Sequence, residues 1–178
     1  MISYRDATPA DGALLGGLAR ATFLETFGHL YTLEDLTAFL AQGSDAAYAA
    51  ELQAPDVEVR FAFASGIPIG FAKLSAVKLP APAQALALEL RQLYVFKPWQ
   101  GQGQGQGQGI AKTLMHWALT RARARAAPEL WLSVFTDNHR ARRFYARYGF
   151  AEIGPYAFMI GTKADEDILC RLDLEGQP

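Results

Sequence analysis

From Gln100 to Gly109 glutamine and glycine alternate without interruption, and the run leads directly into Ile110 and Ala111. Glycine has no Cβ to block close approach, and the first N–H groups of a following helix lack partners within it, so backbone amides here can converge on a phosphate. The run reads as an anion cradle. Two commoner phosphate binders fail in detail. A Walker loop needs glycine directly before Lys112-Thr113, where this chain has Ala111, and a dinucleotide fingerprint needs its third glycine at the position of Ile110. On composition alone the same residues make a low-complexity linker, so the choice depends on the flanks.

Those flanks are regular. Residues 88–95, LELRQLYV, read as a strand, and the helix after the loop carries Ala111, Leu114, Met115, Ala118 and Ala122 on one face. Upstream, residues 2–7 make a short strand, and Thr8-Pro9 opens a helix that frays near Gly28. Thr32 caps a second helix through about Leu40, and residues 44–52 suggest a third. Residues 57–64 and 67–79 form a hairpin about Ser65-Gly66, and the short connection through Pro80 and Pro82 sets residues 86–95 antiparallel to it. Downstream come a strand over 130–135, covered on both faces, and a helix over 138–148 stopped by a left-handed Gly149. Two strands, 151–160 and 167–174, close the chain. This order predicts one domain over 1–178, of α/β (α+β) class: a mixed, largely antiparallel sheet of about six to seven strands with helices on both faces.

A length of 178 residues with 51% apolar composition supports one sizeable core. The net charge of -1 and pI near 6.3 give no general attraction to nucleic acid or anionic membrane, which favours a small-molecule partner held by a local site. Cys170, the single cysteine, stands in the apolar run ILCRL and reads as buried filler in a reducing cytoplasm. The first residues lack a basic start followed by an apolar core, and no apolar run approaches the ~20 residues that span a bilayer, so no membrane partner is expected. His29 and His116 have no Cys or carboxylate at ligand spacing, so no metal site is expected.

Two motifs resemble those of the GNAT superfamily of acyl-CoA N-acyltransferases. The superfamily's strand, Q/R-x-x-G-x-G/A and helix are similar to Leu93-Tyr94-Val95 followed by Gln106, Gly107, Gln108, Gly109, Ile110 and Ala111. Residues 138–150, NHRARRFYARYGF, resemble its N-x-x-A-x-x-F-Y-x-x-x-G-F. The resemblance covers nearly the whole chain. It implies acetyl-CoA as cosubstrate, with the pyrophosphate on the loop amides and the pantetheine arm along Leu93, Tyr94 and Val95. It also implies Tyr145 as the acid that protonates the departing thiolate, Glu89 as a base, and Asn138 as a hydrogen-bonding partner of the cofactor.

The chemistry has a physical basis. An amine must be neutral to attack a thioester, yet an alkylamine resembles Lys with a pKa of ~10.4, so a carboxylate that removes its proton accelerates attack. At ~3.3 Å per residue, Val95 back to Glu89 spans roughly 20 Å, the reach of an extended pantetheine with its acetyl group. A period of two places Glu89, Leu93 and Val95 on one face. Each residue has another reading: Glu89 as an ion-pair partner of Arg91, Tyr145 as packing for Phe144 and Tyr148, Asn138 as a helix cap.

Within the superfamily, residues 21–40, 88–95 and 156–174 look like the bacterial PaiA-like spermidine/spermine N-acetyltransferases. Glu25, Glu34 and Asp35 would then attract a polyamine, or else form a solvated face. The register departs from the family pattern: counted from the strand the loop glutamine is Gln100, and counted from the helix it is Gln106. Six residues are therefore inserted, with an outward bulge near 100–105 expected. The resemblance implies acetyl transfer to a small primary amine by direct attack in a ternary complex. A non-catalytic acyl-CoA-binding or regulatory module, acetylation of a peptide or protein amine, and a dinucleotide oxidoreductase are the alternatives, and monomer or homodimer is left open.

Overall fold

The structure, a computed structural model, describes residues 1–101, 109–161 and 163–175. Its strands are β1 (Ile2–Asp6), β2 (Glu58–Ala64), β3 (Ile67–Ala76), β4 (Leu88–Val95), β5 (Glu129–Phe135), β6 (Ala151–Ile160) and β7 (Lys163–Asp173). They form a seven-stranded sheet in the order β1-β2-β3-β4-β5-β7-β6. Every pairing is antiparallel except β4 with β5. The mixed, largely antiparallel sheet is therefore present. The last strand begins at Lys163 rather than 167, because pairing with β6 extends it through the charged residues Asp165 and Glu166 that a propensity reading leaves in a loop.

The helices are α1 (Gly12–Phe27), α2 (Leu33–Gln42), α3 (Asp45–Glu51), α4 (Ile110–Ala124) and α5 (His139–Ala146). Local chemistry starts three of them: Thr32, Ser44 and Asn138 accept from the N–H groups of Asp35, Ala47 and Ala141. The first helix begins with a 3-10 turn, Pro9–Asp11, before α1 proper. Leu15, Leu18 and Ala19 of α1 pack on Val59, Phe61 and Phe71 on one face of the sheet. On the other face Leu114, Met115 and Ala118 of α4 pack against Ala72, Leu74, Leu90 and Leu132. Each fully buried side chain of this size contributes about 1.5–3 kcal/mol.

The sequence expectation fails at one point inside β4. Lys73 pairs with Gln92 but Leu74 pairs with Leu90, so Arg91 is an extra residue, a β-bulge. The bulge reverses the side-chain alternation. Leu88, Leu90, Leu93 and Val95 thus all serve the α4 core, while Tyr94 packs on the α1 side with Phe71. Glu89, between Leu88 and Leu90, therefore faces away from Leu93 and Val95 rather than with them, since a period of two does not survive an inserted residue.

Candidate active site

The site begins where the sheet parts. The parallel pairing of β4 with β5 covers only Leu88 with Leu130 and Glu89 with Trp131, and beyond it the two strands separate. The β5-facing edge of β4 thereby presents unpaired backbone groups that an extended, amide-containing ligand can meet as an added strand. A cavity of about 1950 Å³ occupies the gap, and Leu93, Tyr94 and Val95 line it. Arg91 Nη1 and Gln92 Oε1, at the bulge, are buried in its wall without a hydrogen-bond partner among the described residues. Such orphaned atoms are groups that a bound polar molecule can satisfy.

The α4/α5 side of the cavity is cationic. Gly109, Ile110, Ala111 and Lys112 line it at the start of α4, joined by Arg140 and Arg143 from α5. Gly109 has φ +82, a left-handed conformation that leads the chain into α4. Gln106, Gly107 and Gln108 lie outside the described residues. Gln100 turns back on the strand end: its Nε2 donates to the Val95 carbonyl and its Oε1 accepts from Arg140 Nη1 at 2.9 Å. The loop of 100–105 is described only at Gln100 and Gly101.

Tyr145 and Asn138 both line the cavity. Asn138 Oδ1 accepts from the Ala141 N–H at 3.2 Å, so its oxygen caps α5. Tyr145 lies edge-on to Phe144 and Phe150, and burial, followed by the Cys170 charge, raises its phenol well above the ordinary value. It therefore keeps its proton through the neutral range. Glu89 is only 6% exposed and also lines the cavity. Its Oε2 accepts from the Lys78 and Leu79 N–H groups at 2.7 and 3.2 Å, which ties the β3–β4 connection to the sheet. Among the described residues no ion pair joins it to Arg91.

Glu25, Glu34 and Asp35 are not brought to the cavity wall. Glu25 Oε2 accepts from the Lys97 N–H at 2.9 Å, Asp35 Oδ2 accepts from Thr32 Oγ1 at 2.9 Å at the start of α2, and Glu34 is exposed. Their acidity is used at helix and turn ends. The acids that do line the cavity include Asp165 and Asp167 of β7, which stand with Phe27, Tyr31, Phe135 and Phe158 in its wall. Asp167 Oδ2 accepts from Ser133 Oγ at 3.0 Å, and the Asp165 carboxylate accepts from the Tyr31 hydroxyl. Burial, more than the Asp165 charge, pushes Asp167 up to about 6 against the lowering effect of Ser133. The sequence reading passed over both. Their only signal is spacing by two within a strand, which sends both side chains to one face and Glu166 to solvent.

Cys170 is buried, and its thiol is pushed up to about 11, chiefly by burial, which makes it a poor nucleophile. Among the described residues no group of three or more His, Cys, Asp and Glu is placed to hold a metal, and no helix is long and apolar enough to cross a membrane.

Comparison with known proteins bears on this site. Residues 24–150 match the model of the acetyltransferase (GNAT) family. An uncharacterized N-acetyltransferase of Mycobacterium tuberculosis is 40% identical over 57 residues, which are 32% of this chain and 36% of that relative. The match thus spans about a third of the relative's length. Among solved structures, the PaiA N-acetyltransferase of Thermoplasma acidophilum, in complex with coenzyme A, superposes with a TM-score of 0.75 at 22% identity, covering 97% of this chain and 99% of that one. The yncA protein of Salmonella typhimurium, with its cofactor acetyl-CoA, gives 0.70 at 17% identity, covering 100% and 96%. These likenesses establish a common fold.

Proposed function

The chain belongs to the acetyltransferase (GNAT) family, and on that premise we propose that it transfers an acetyl group from acetyl-CoA to a primary amine of a small molecule. The observation that carries this reading is the parting of β4 from β5, which opens one cavity along an unpaired strand edge. Lys112, Arg140 and Arg143 line its α4/α5 side; Asp165 and Asp167 of β7, and Glu89 beside Arg91 and Lys78, line the other, acceptor side, with the unpaired β4 edge between them. A phosphate-bearing donor fits the first side, a cationic amine the second, and an extended pantetheine arm the edge. Leu93, Tyr94, Val95 and residues 109–111 would hold the donor, together with Gln106, Gly107 and Gln108, which lie outside the described residues. Asn138, its oxygen already engaged as a cap, would contribute only through its amide nitrogen.

Attack by the neutral amine on the thioester carbonyl expels the thiolate, and Tyr145, whose phenol stays protonated at neutral pH, supplies the proton. A carboxylate must accept the ammonium proton; Glu89 and Asp167 both line the cavity. Cys170 carries no acyl group in this scheme, so transfer is direct within a ternary complex. Polyamines are the first acceptors to test, because the aromatic and acidic wall suits an extended polycation and residues 21–40, 88–95 and 156–174 resemble PaiA-like enzymes. Thiol release from acetyl-CoA is measured with a panel of spermidine, spermine, simple alkylamines, amino acids and peptides, and the products are weighed by mass spectrometry. Amine-dependent release with a product heavier by one acetyl group supports the reading. Tight acetyl-CoA binding without release for any amine favours a non-catalytic acyl-CoA-binding module.

A further inference from the structure

Of the carboxylates that line the acceptor side, Asp165 has both oxygens engaged and Glu89 is tied to backbone. Asp165 accepts from the Tyr31 hydroxyl through Oδ2 and meets Lys163 Nζ at 3.4 Å through Oδ1. Glu89 holds two backbone N–H groups through Oε2, so protonating or moving it disturbs the Lys78-Leu79 connection. Asp167, like Glu89, engages a single oxygen, but its partner is one side-chain hydroxyl rather than the backbone of a connecting segment. One oxygen is steadied by Ser133 Oγ, and Oδ1 has no hydrogen bond among the described residues although the residue lines the cavity.

Its position is as informative as its bonding. Asp167 stands on β7 opposite Phe135, at the end of β5 that has parted from β4. Across the gap stands the half-buried Tyr94, and Tyr94, Tyr145 and Asp167 all line the cavity. The acid proposed for the thiolate and this carboxylate therefore flank the same opening.

We propose, on the acetyltransferase reading above, that Asp167 receives the proton of the acceptor ammonium while Glu89 serves as a structural strut for the β3–β4 connection. The protons balance. The ammonium gives one proton to Asp167, the freed lone pair forms the C–N bond, and the C–S bond breaks as Tyr145 protonates sulfur. The nitrogen loses its second proton to restore the Tyr145 phenol, and Asp167 releases its own to solvent, so the net products are the N-acetylamine, the free thiol and one proton. The ordinary solution value of Asp is ~3.9, and a base held at about 6 retains a proton better while remaining ionised at neutral pH. Burial, Ser133 on β5 and Asp165 on β7 set its titration, while Glu89, Arg91 and Tyr94 on β4 line the same cavity and Lys163 on β7 pairs with Asp165. Tyr31 after α1, Tyr145 on α5 and Tyr156 on β6 complete its surroundings.

The test is the pH profile of kcat at saturating acetyl-CoA with spermidine as acceptor, for the parent, D167N, D167E, S133A and E89Q. The parent should gain activity through an acidic limb near pH 6. D167N should lose about a hundredfold in kcat and lose that limb while binding acetyl-CoA unchanged, and D167E should recover part of the rate. S133A, which deletes a hydrogen bond to the ionised form, should move the limb to higher pH without deleting it, and this arm stands even if D167N misfolds. E89Q should keep the limb. A limb that survives in D167N, fails to move in S133A or disappears in E89Q overturns the assignment while leaving acetyl transfer intact. Absence of turnover by the parent with every amine of the panel overturns the parent reading and this assignment together.

Discussion

At the scale of residues, the site is held by side chains whose ionisation is displaced from solution values. Tyr145→Phe removes one hydroxyl and leaves the ring against Phe144 and Phe150, so acetyl-CoA affinity should hold while kcat falls at least about tenfold. Calorimetry with single-turnover kinetics checks this, and an unchanged chemical step would remove Tyr145 from the reaction. Asp167 makes a second prediction through linkage. Its folded pKa of about 6 lies above the unfolded value of ~3.9, so the contribution of its protonated form is complete below ~3.9 and is lost as pH rises through about 6. Ionised at neutral pH, it costs the fold on the order of 2–3 kcal/mol. D167N should therefore be more stable than the parent at pH 7.5, and the gain should vanish near pH 4. Thermal melts at both values decide it. A protein that becomes stabler and slower by one substitution is what a buried working carboxylate produces.

At the scale of elements, two helix starts line the cationic side of the cavity. Gly109 at φ +82 has open space around a would-be Cβ, so Gly109→Ala is strained by its backbone alone. It should cost about 1 kcal/mol and weaken acetyl-CoA binding, because the first turn of α4 would tilt; melting and calorimetry read the two effects separately. Asn138→Ala should also cost about 1 kcal/mol through the lost cap on α5. If Asn138 acts only as a cap, acetyl-CoA affinity should survive; a tenfold loss without further destabilisation would assign its amide to the cofactor. The bulge at Arg91 decides which strand residues face which layer. It turns Leu93 and Val95 inward to α4 and leaves Glu89 on the other side, and it lies next to the point where β4 and β5 separate.

At the scale of the whole molecule, a chain of net charge -1 presents locally concentrated charge of both signs in one cavity. Acetyl-CoA at a hundredfold over its Kd should stabilise the protein by about 2.7 kcal/mol, and raising salt should reduce that gain because Lys112, Arg140 and Arg143 act partly through solvent. Scanning calorimetry at low and high salt tests it, and a salt-independent gain would mean that the cationic side does not meet the phosphates.

The sequence by itself determined the elements and the family pattern, because these are written in local chemistry. Thr32, Ser44 and Asn138 announced helix starts, Gly149 at φ +90 a helix stop, and the motif over 138–150 placed Tyr145 on α5, where it meets the cavity. Tertiary structure alone decided which acids line the cavity. The Arg91 bulge cancels the period of two on which the facing of Glu89 rested, and a bulge is defined by the partner strand, not by its own residues. The carboxylates Glu25, Glu34 and Asp35 matched the chemistry of a polyamine but serve turns or solvent, whereas Asp165 and Asp167, in a charged segment that reads locally as exposed, are buried because β7 lies between β5 and β6. Burial of a charge depends on which strands flank it and where a sheet opens, and neither is encoded within reach of neighbouring residues.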